Sequence, residues 1–174
     1  GLFAGIATLA KGPVGAAIPA LVVLVFLIRR REIRLAVSSP ALLGAAAGLL
    51  AASLWYVPVW ALNGERFTRV FWVENNLARI SEPVSDHAGP ITYYVPVFFL
   101  AFLPWSLPFA LASIRSLLPS VRRAPPEADP PAEFLWSWFL VPFVFYSLIA
   151  TKLPGYLLPV FPPAAILLAR EWNR

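Results

Sequence analysis

The chain has 174 residues, 59% of them hydrophobic and only 13% charged, and a net charge of +5. Soluble domains carry about 25% charged residues, so a single water-soluble core is excluded as the place for this much apolar surface. Cysteine is absent, which excludes disulfides and thiolate metal sites. The positive balance does not argue for nucleic acid either, because the arginines stand at the ends of apolar runs.

In chain order, the first apolar run is Gly1–Leu9, too short to cross a membrane alone. No methionine stands at position 1, and the sequence closes at Arg174 just past another run, so an internal piece of a longer protein is expected. Pro13 suits the first turn of a helix, which predicts a second helix over Pro13–Ile28 with Pro19 as its kink point. Arg29, Arg30, Arg31 and Arg34 follow it directly.

The next run, Pro40–Leu62, begins with the small residues Gly44 to Gly48, which favour close helix packing. It ends with Trp55, Tyr56 and Trp60, as at a membrane–water interface. The polar stretch Asn63–Pro90 comes next. Within it Phe67, Val70, Phe71 and Leu77 fall at helical spacing and predict an interfacial amphipathic helix, with Glu65 placed to pair with Arg69. Three further runs, Ile91–Ser113, Phe134–Ala150 and Tyr156–Ala169, are separated by a proline-rich linker and by a tight turn at 151–155. The expected fold class is all-α, a polytopic transmembrane helix bundle of about five spans plus a partial first helix. Residues 1–174 form part of one transmembrane domain in this reading.

Alternating runs put the loops on alternating sides. One set of loops holds nine arginines and the other five cationic residues, Lys11, Arg66, Arg69, Arg79 and Lys152. The richer set, including loops 29–39 and 114–132, is predicted to be cytoplasmic. Lys11, the loop 63–90 and the turn 151–155 then share the outer face.

Three residues on that face are candidates for chemistry. Lys11 and Lys152 are the only lysines, each followed closely by proline. Snorkelling at a span end is the plain explanation, and binding an anionic ligand is the functional one. His87 is the only histidine. It could move a proton, bind phosphate or ligate a divalent metal, although a single histidine with scattered carboxylates is weak evidence for a metal, which needs several ligands. The plain alternative is a loop residue ahead of the next helix.

Several segments together carry a resemblance. They are Leu9-Ala10-Lys11-Gly12-Pro13, Trp55-Tyr56, Phe71-Trp72-Val73-Glu74-Asn75-Asn76-Leu77-Ala78-Arg79, His87-Ala88-Gly89-Pro90 with Tyr93-Tyr94, Leu103-Pro104-Trp105, and Lys152-Leu153-Pro154-Gly155-Tyr156-Leu157-Leu158-Pro159. In this order and spacing the chain resembles the polyprenol-phosphate-sugar-dependent glycosyltransferases. That superfamily includes the protein O-mannosyltransferases and the bacterial aminoarabinose transferases that modify lipid A.

The resemblance implies an integral membrane enzyme of the GT-C fold. It would move a sugar from a polyprenyl phosphate carrier to a lipid or protein acceptor outside the cytoplasm, in a bacterial inner membrane. The family's catalytic aspartate belongs to an earlier outer loop, so the resemblance names no catalytic residue here. It implies carrier-phosphate roles for Lys152, Tyr156 and Arg79 and places His87 and Lys11 at the substrate site. Where some relatives carry a histidine shortly before the arginine, this chain has Asn75 or Asn76, which leaves no clear metal requirement. Other readings are a transporter or flippase of lipid-linked glycans, a glycan polymerase or ligase, and a structural membrane subunit.

Overall fold

The computed structural model describes residues 1–78, 87–117 and 129–172. Arg79 and most of the 114–132 loop lie outside these residues. Two compact units are present. One comprises residues 1–88 with 149–151, and the other residues 89–148 with 152–174.

The first unit is built on α1 (Leu2–Lys11), α2 (Val14–Arg29) and α3 (Ser39–Phe67). α1 packs against both of the others. The facing residues are small enough for backbones to approach. A Cβ on Gly5 would lie 2.5 Å from the Gly48 carbonyl oxygen, and one on Gly15 would run into that of Ala7. In a membrane, where lipid tails are as apolar as leucine, such van der Waals approach supplies much of the helix attraction. The Tyr56 hydroxyl adds a tie between helices by donating to the Thr8 carbonyl at 2.8 Å.

α3 bends at Gly64, whose φ of 52° and ψ of −129° lie in a region open in practice only to glycine. The chain continues as a π-helix, Thr68–Leu77. Its wider turn brings residues five apart together. The Asn75 and Asn76 amides donate to the Val70 and Phe71 carbonyls at 2.8 and 2.6 Å. Arg69 pairs with Glu74 at 3.4 Å rather than with Glu65. Both side chains are well exposed, so this pair contributes little. The expected helix is therefore present with a different register. Phe67 and Phe71 stack at 5.0 Å and turn onto the Tyr56 ring, at 6.3 and 5.1 Å, while Val70, Trp72, Val73 and Leu77 are exposed.

The second unit contains α4 (Tyr94–Ala101), α5 (Ser106–Leu117), α6 (Pro130–Leu148), a 3-10 turn (Pro154–Val160) and α7 (Phe161–Trp172). Its core is aromatic. Phe98 is 3% exposed and meets Phe102, Phe109, Phe139 and Phe161 at centroid distances of 5.3 to 5.9 Å, joining α4, α5, α6 and α7. Each such pair contributes about 0.5–1.5 kcal/mol beyond area burial. Asp129 caps α6 by accepting from the Ala132 amide at 3.1 Å. The same carboxylate receives Arg170, from the last turn of α7, at 2.7 and 2.9 Å.

The all-α architecture expected from the sequence is present. Among the described residues one helix, Ser39–Leu77, is long and apolar enough to cross a membrane. Counting the broken pair Tyr94–Ala101 and Ser106–Ile114, bent by 117°, makes two, against about five expected. The run Ile91–Ser113 divides around Pro104, which has no amide hydrogen to donate. The run Tyr156–Ala169 divides into a 3-10 turn and a helix. Hydropathy marks apolar length but not where the backbone turns.

Candidate functional site

The last carbonyls of any α-helix lack intrahelical partners and form the negative end of its dipole. At the end of α6 these carbonyls are met by Lys152. Its ammonium donates to Ser147 O at 2.6 Å and Tyr146 O at 3.2 Å, and lies 5.7 Å from the Tyr94 ring centroid. Lys152 is only 4% exposed, so snorkelling into water does not describe it. Burial in the turn after α6 pushes its pKa below that of an ordinary lysine, since the ammonium has lost water.

The turn that carries Lys152 is held from inside. Tyr94 is fully buried, and its hydroxyl accepts from the Leu153 amide at 3.0 Å and donates to the Leu153 carbonyl at 3.1 Å. The Tyr156 amide closes the turn on Leu153 O at 3.0 Å. The Tyr156 ring stacks on Tyr146 at 4.9 Å. Tyr146 thus links the two, its carbonyl to Lys152 and its ring to Tyr156. Gly89 closes the packing, since a Cβ there would lie 2.9 Å from Lys152 Cγ and 3.3 Å from Tyr93. Sequence reading named Lys152 and Tyr156 but missed Tyr94 and Tyr146 as their supports. Tyr94 was named only beside Tyr93, at the start of an apolar run.

In the first unit, Lys11 ends α1 with its side chain exposed. Gly12 follows at φ 71°, and a Cβ there would sit 3.2 Å from Asn76 Oδ1 and 3.5 Å from Phe71. The π-helix therefore rests directly on the Lys11–Pro13 turn. His87 is exposed beside an antiparallel bridge between Ala88 and Thr151. Arg79 lies outside the described residues. Among the described residues no three of His, Asp and Glu gather, so no donor set for a divalent metal is present there.

No family model matches the chain. It is 34% identical over 175 residues to the undecaprenyl phosphate-α-4-amino-4-deoxy-L-arabinose arabinosyl transferase 2 of Proteus mirabilis, covering 98% of this chain and 29% of that protein. The corresponding transferase of Pseudomonas paraeruginosa is 34% identical over 170 residues, covering 97% and 29%. Among solved structures, ArnT from Cupriavidus metallidurans bound to undecaprenyl phosphate superposes with a TM-score of 0.81 at 30% identity, over 98% of this chain and 29% of that one. Its apo structure gives 0.72 at 29% identity. The chain thus spans 29% of the length of the relatives it matches.

Proposed function

We propose that this chain is part of an integral membrane glycosyltransferase of the undecaprenyl phosphate-aminoarabinose arabinosyl transferase family, one that moves 4-amino-4-deoxy-L-arabinose from an undecaprenyl phosphate carrier to lipid A. The observation that carries this reading is the likeness over 98% of the chain to a structure bound to undecaprenyl phosphate. The reaction breaks the bond between the sugar and the carrier phosphate and leaves negative charge on that phosphate. Preorganised cations beside it stabilise the charge as it develops. Lys152 suits that role because α6 and Tyr94 hold its ammonium in place before any substrate arrives. Tyr156 supplies a neutral hydroxyl from the same turn. The family resemblance also gives Lys11, Arg79 and His87 substrate-binding roles, on the periplasmic face of a bacterial inner membrane. Loops 29–39 and 114–132 lie on the cytoplasmic side in this arrangement.

A transporter would be favoured by charge at a broken helix. The break between α4 and α5 carries Phe102, Leu103, Pro104 and Trp105, none of them charged.

The test is sugar transfer by the complete protein, with a panel of polyprenyl phosphate sugars and lipid A. The aminoarabinose donor should give the highest rate. A preferred hexosyl donor would overturn the pentosyl assignment, and no transfer from any donor would overturn the enzyme reading. Labelling of a Ser38→Cys variant by an impermeant thiol reagent in intact cells would overturn the topology.

A further inference from the structure

The connection from α2 to α3 carries Arg29, Arg30, Arg31 and Arg34 against one carboxylate, Glu32. Arg30 takes that carboxylate at 3.3 Å and also lies 6.0 Å from the Phe26 ring centroid. Arg29, Arg31 and Arg34 are exposed, with no ion pair among the described residues. A 3-10 turn, Ile33–Val37, follows at once, and its aliphatic side chains are also exposed: Ile33 44%, Leu35 53% and Val37 70%. Exposed guanidinium groups and exposed aliphatic side chains therefore adjoin on one short segment, with Arg34 set between Ile33 and Leu35.

The backbone adds an independent observation. α2 closes with Arg31 N–H donating to Ile28 O at 3.0 Å and Glu32 N–H to Leu27 O at 2.9 Å. This paired closure ordinarily places glycine at the left-handed position between them. Arg31 occupies it, at φ 58°, as the only non-glycine residue with positive φ among those described. A side chain there is strained. The general bias of positive charge toward one side of a membrane requires cations, but it does not require one at a glycine position. Local strain of this kind points to a use for the side chain.

We infer that the Arg29–Val37 turn binds an anionic phospholipid such as phosphatidylglycerol. Arg29, Arg31 and Arg34 meet the headgroup phosphate, for which the guanidinium fork is shaped. Ile33, Leu35 and Val37 meet the acyl chains. The adjoining exposed aliphatic residues favour a lipid over nucleic acid or a free anion. The site belongs to the first unit and does not depend on the sugar-transfer reading.

The test uses the complete protein in neutral detergent, titrated with dioleoylphosphatidylglycerol and followed by native mass spectrometry. Parallel arms contain dioleoylphosphatidylcholine and inorganic phosphate. Saturable binding of phosphatidylglycerol alone is expected. Arg31→Gly should weaken it about fivefold, and Arg29→Gln, Arg31→Gly and Arg34→Gln together roughly a hundredfold. Arg31→Gly should keep or raise the melting temperature, because glycine accepts the left-handed backbone, so the loss of lipid cannot be ascribed to unfolding. Unchanged affinity in both variants, equal binding of phosphatidylcholine, or displacement of the lipid by inorganic phosphate would each overturn the inference.

Discussion

Replacing Lys152 with alanine is expected to lower sugar transfer by the complete enzyme at least about thirtyfold, roughly 2 kcal/mol of barrier. Two effects combine. In the proposed site the carrier phosphate would lose a charged partner, and the carbonyls of Tyr146 and Ser147 lose the donor that caps α6. Leaving buried acceptors without partners costs about 1–3 kcal/mol of stability, so the melting temperature should fall as well. Lys152→Arg should restore only part of the rate. The planar fork differs in shape from an ammonium, and the close packing of Gly89 against Lys152 Cγ leaves little room for it.

Tyr94→Phe separates the two effects. It removes the hydroxyl that bonds both backbone groups of Leu153 but leaves the lysine charge in place. Its stability cost should be similar, about 1–3 kcal/mol. If Lys152 holds phosphate, Lys152→Ala should raise the donor KM well beyond Tyr94→Phe at a temperature where both variants are folded. Equal kinetics in the two would refute the phosphate role and leave Lys152 as a helix cap.

Gly15→Ala is expected to destabilise the protein by about 3 kcal/mol, the upper end of the usual cost of overpacking. The added methyl would meet the Ala7 carbonyl and come 3.0 Å from the Thr8 amide nitrogen, both backbone atoms that cannot swing aside. α1 and α2 must then separate. Gly155→Ala is the control, because nothing lies within 4 Å of its added methyl. Thermal unfolding of the complete protein in detergent measures both. A Gly15→Ala protein as stable as Gly155→Ala would show that α1 and α2 do not pack as described.

By itself the sequence determined the membrane class, the all-α fold, the positions of α1, α2 and α3, and the motif holding Lys152 and Tyr156. The first three rest on apolar length, charge at run ends and turn residues, all of which act locally along the chain, whereas the motif rests on its likeness to a known family. The break between α4 and α5, the π register of Thr68–Leu77 and the burial of Lys152 were decided only in the tertiary structure. The reason is where polar groups find partners. Lys152 is marked as a span-end cation by its neighbours in sequence, and becomes a buried helix cap because the α6 terminus and the Tyr94 ring surround it. Asn75 and Asn76 could cap or bend a helix in many ways. Five-residue hydrogen bonds, with Asn76 set against Gly12 from a distant turn, select the wide one. Hydropathy records how much surface must leave water, whereas the direction of each hydrogen bond depends on what folds beside it.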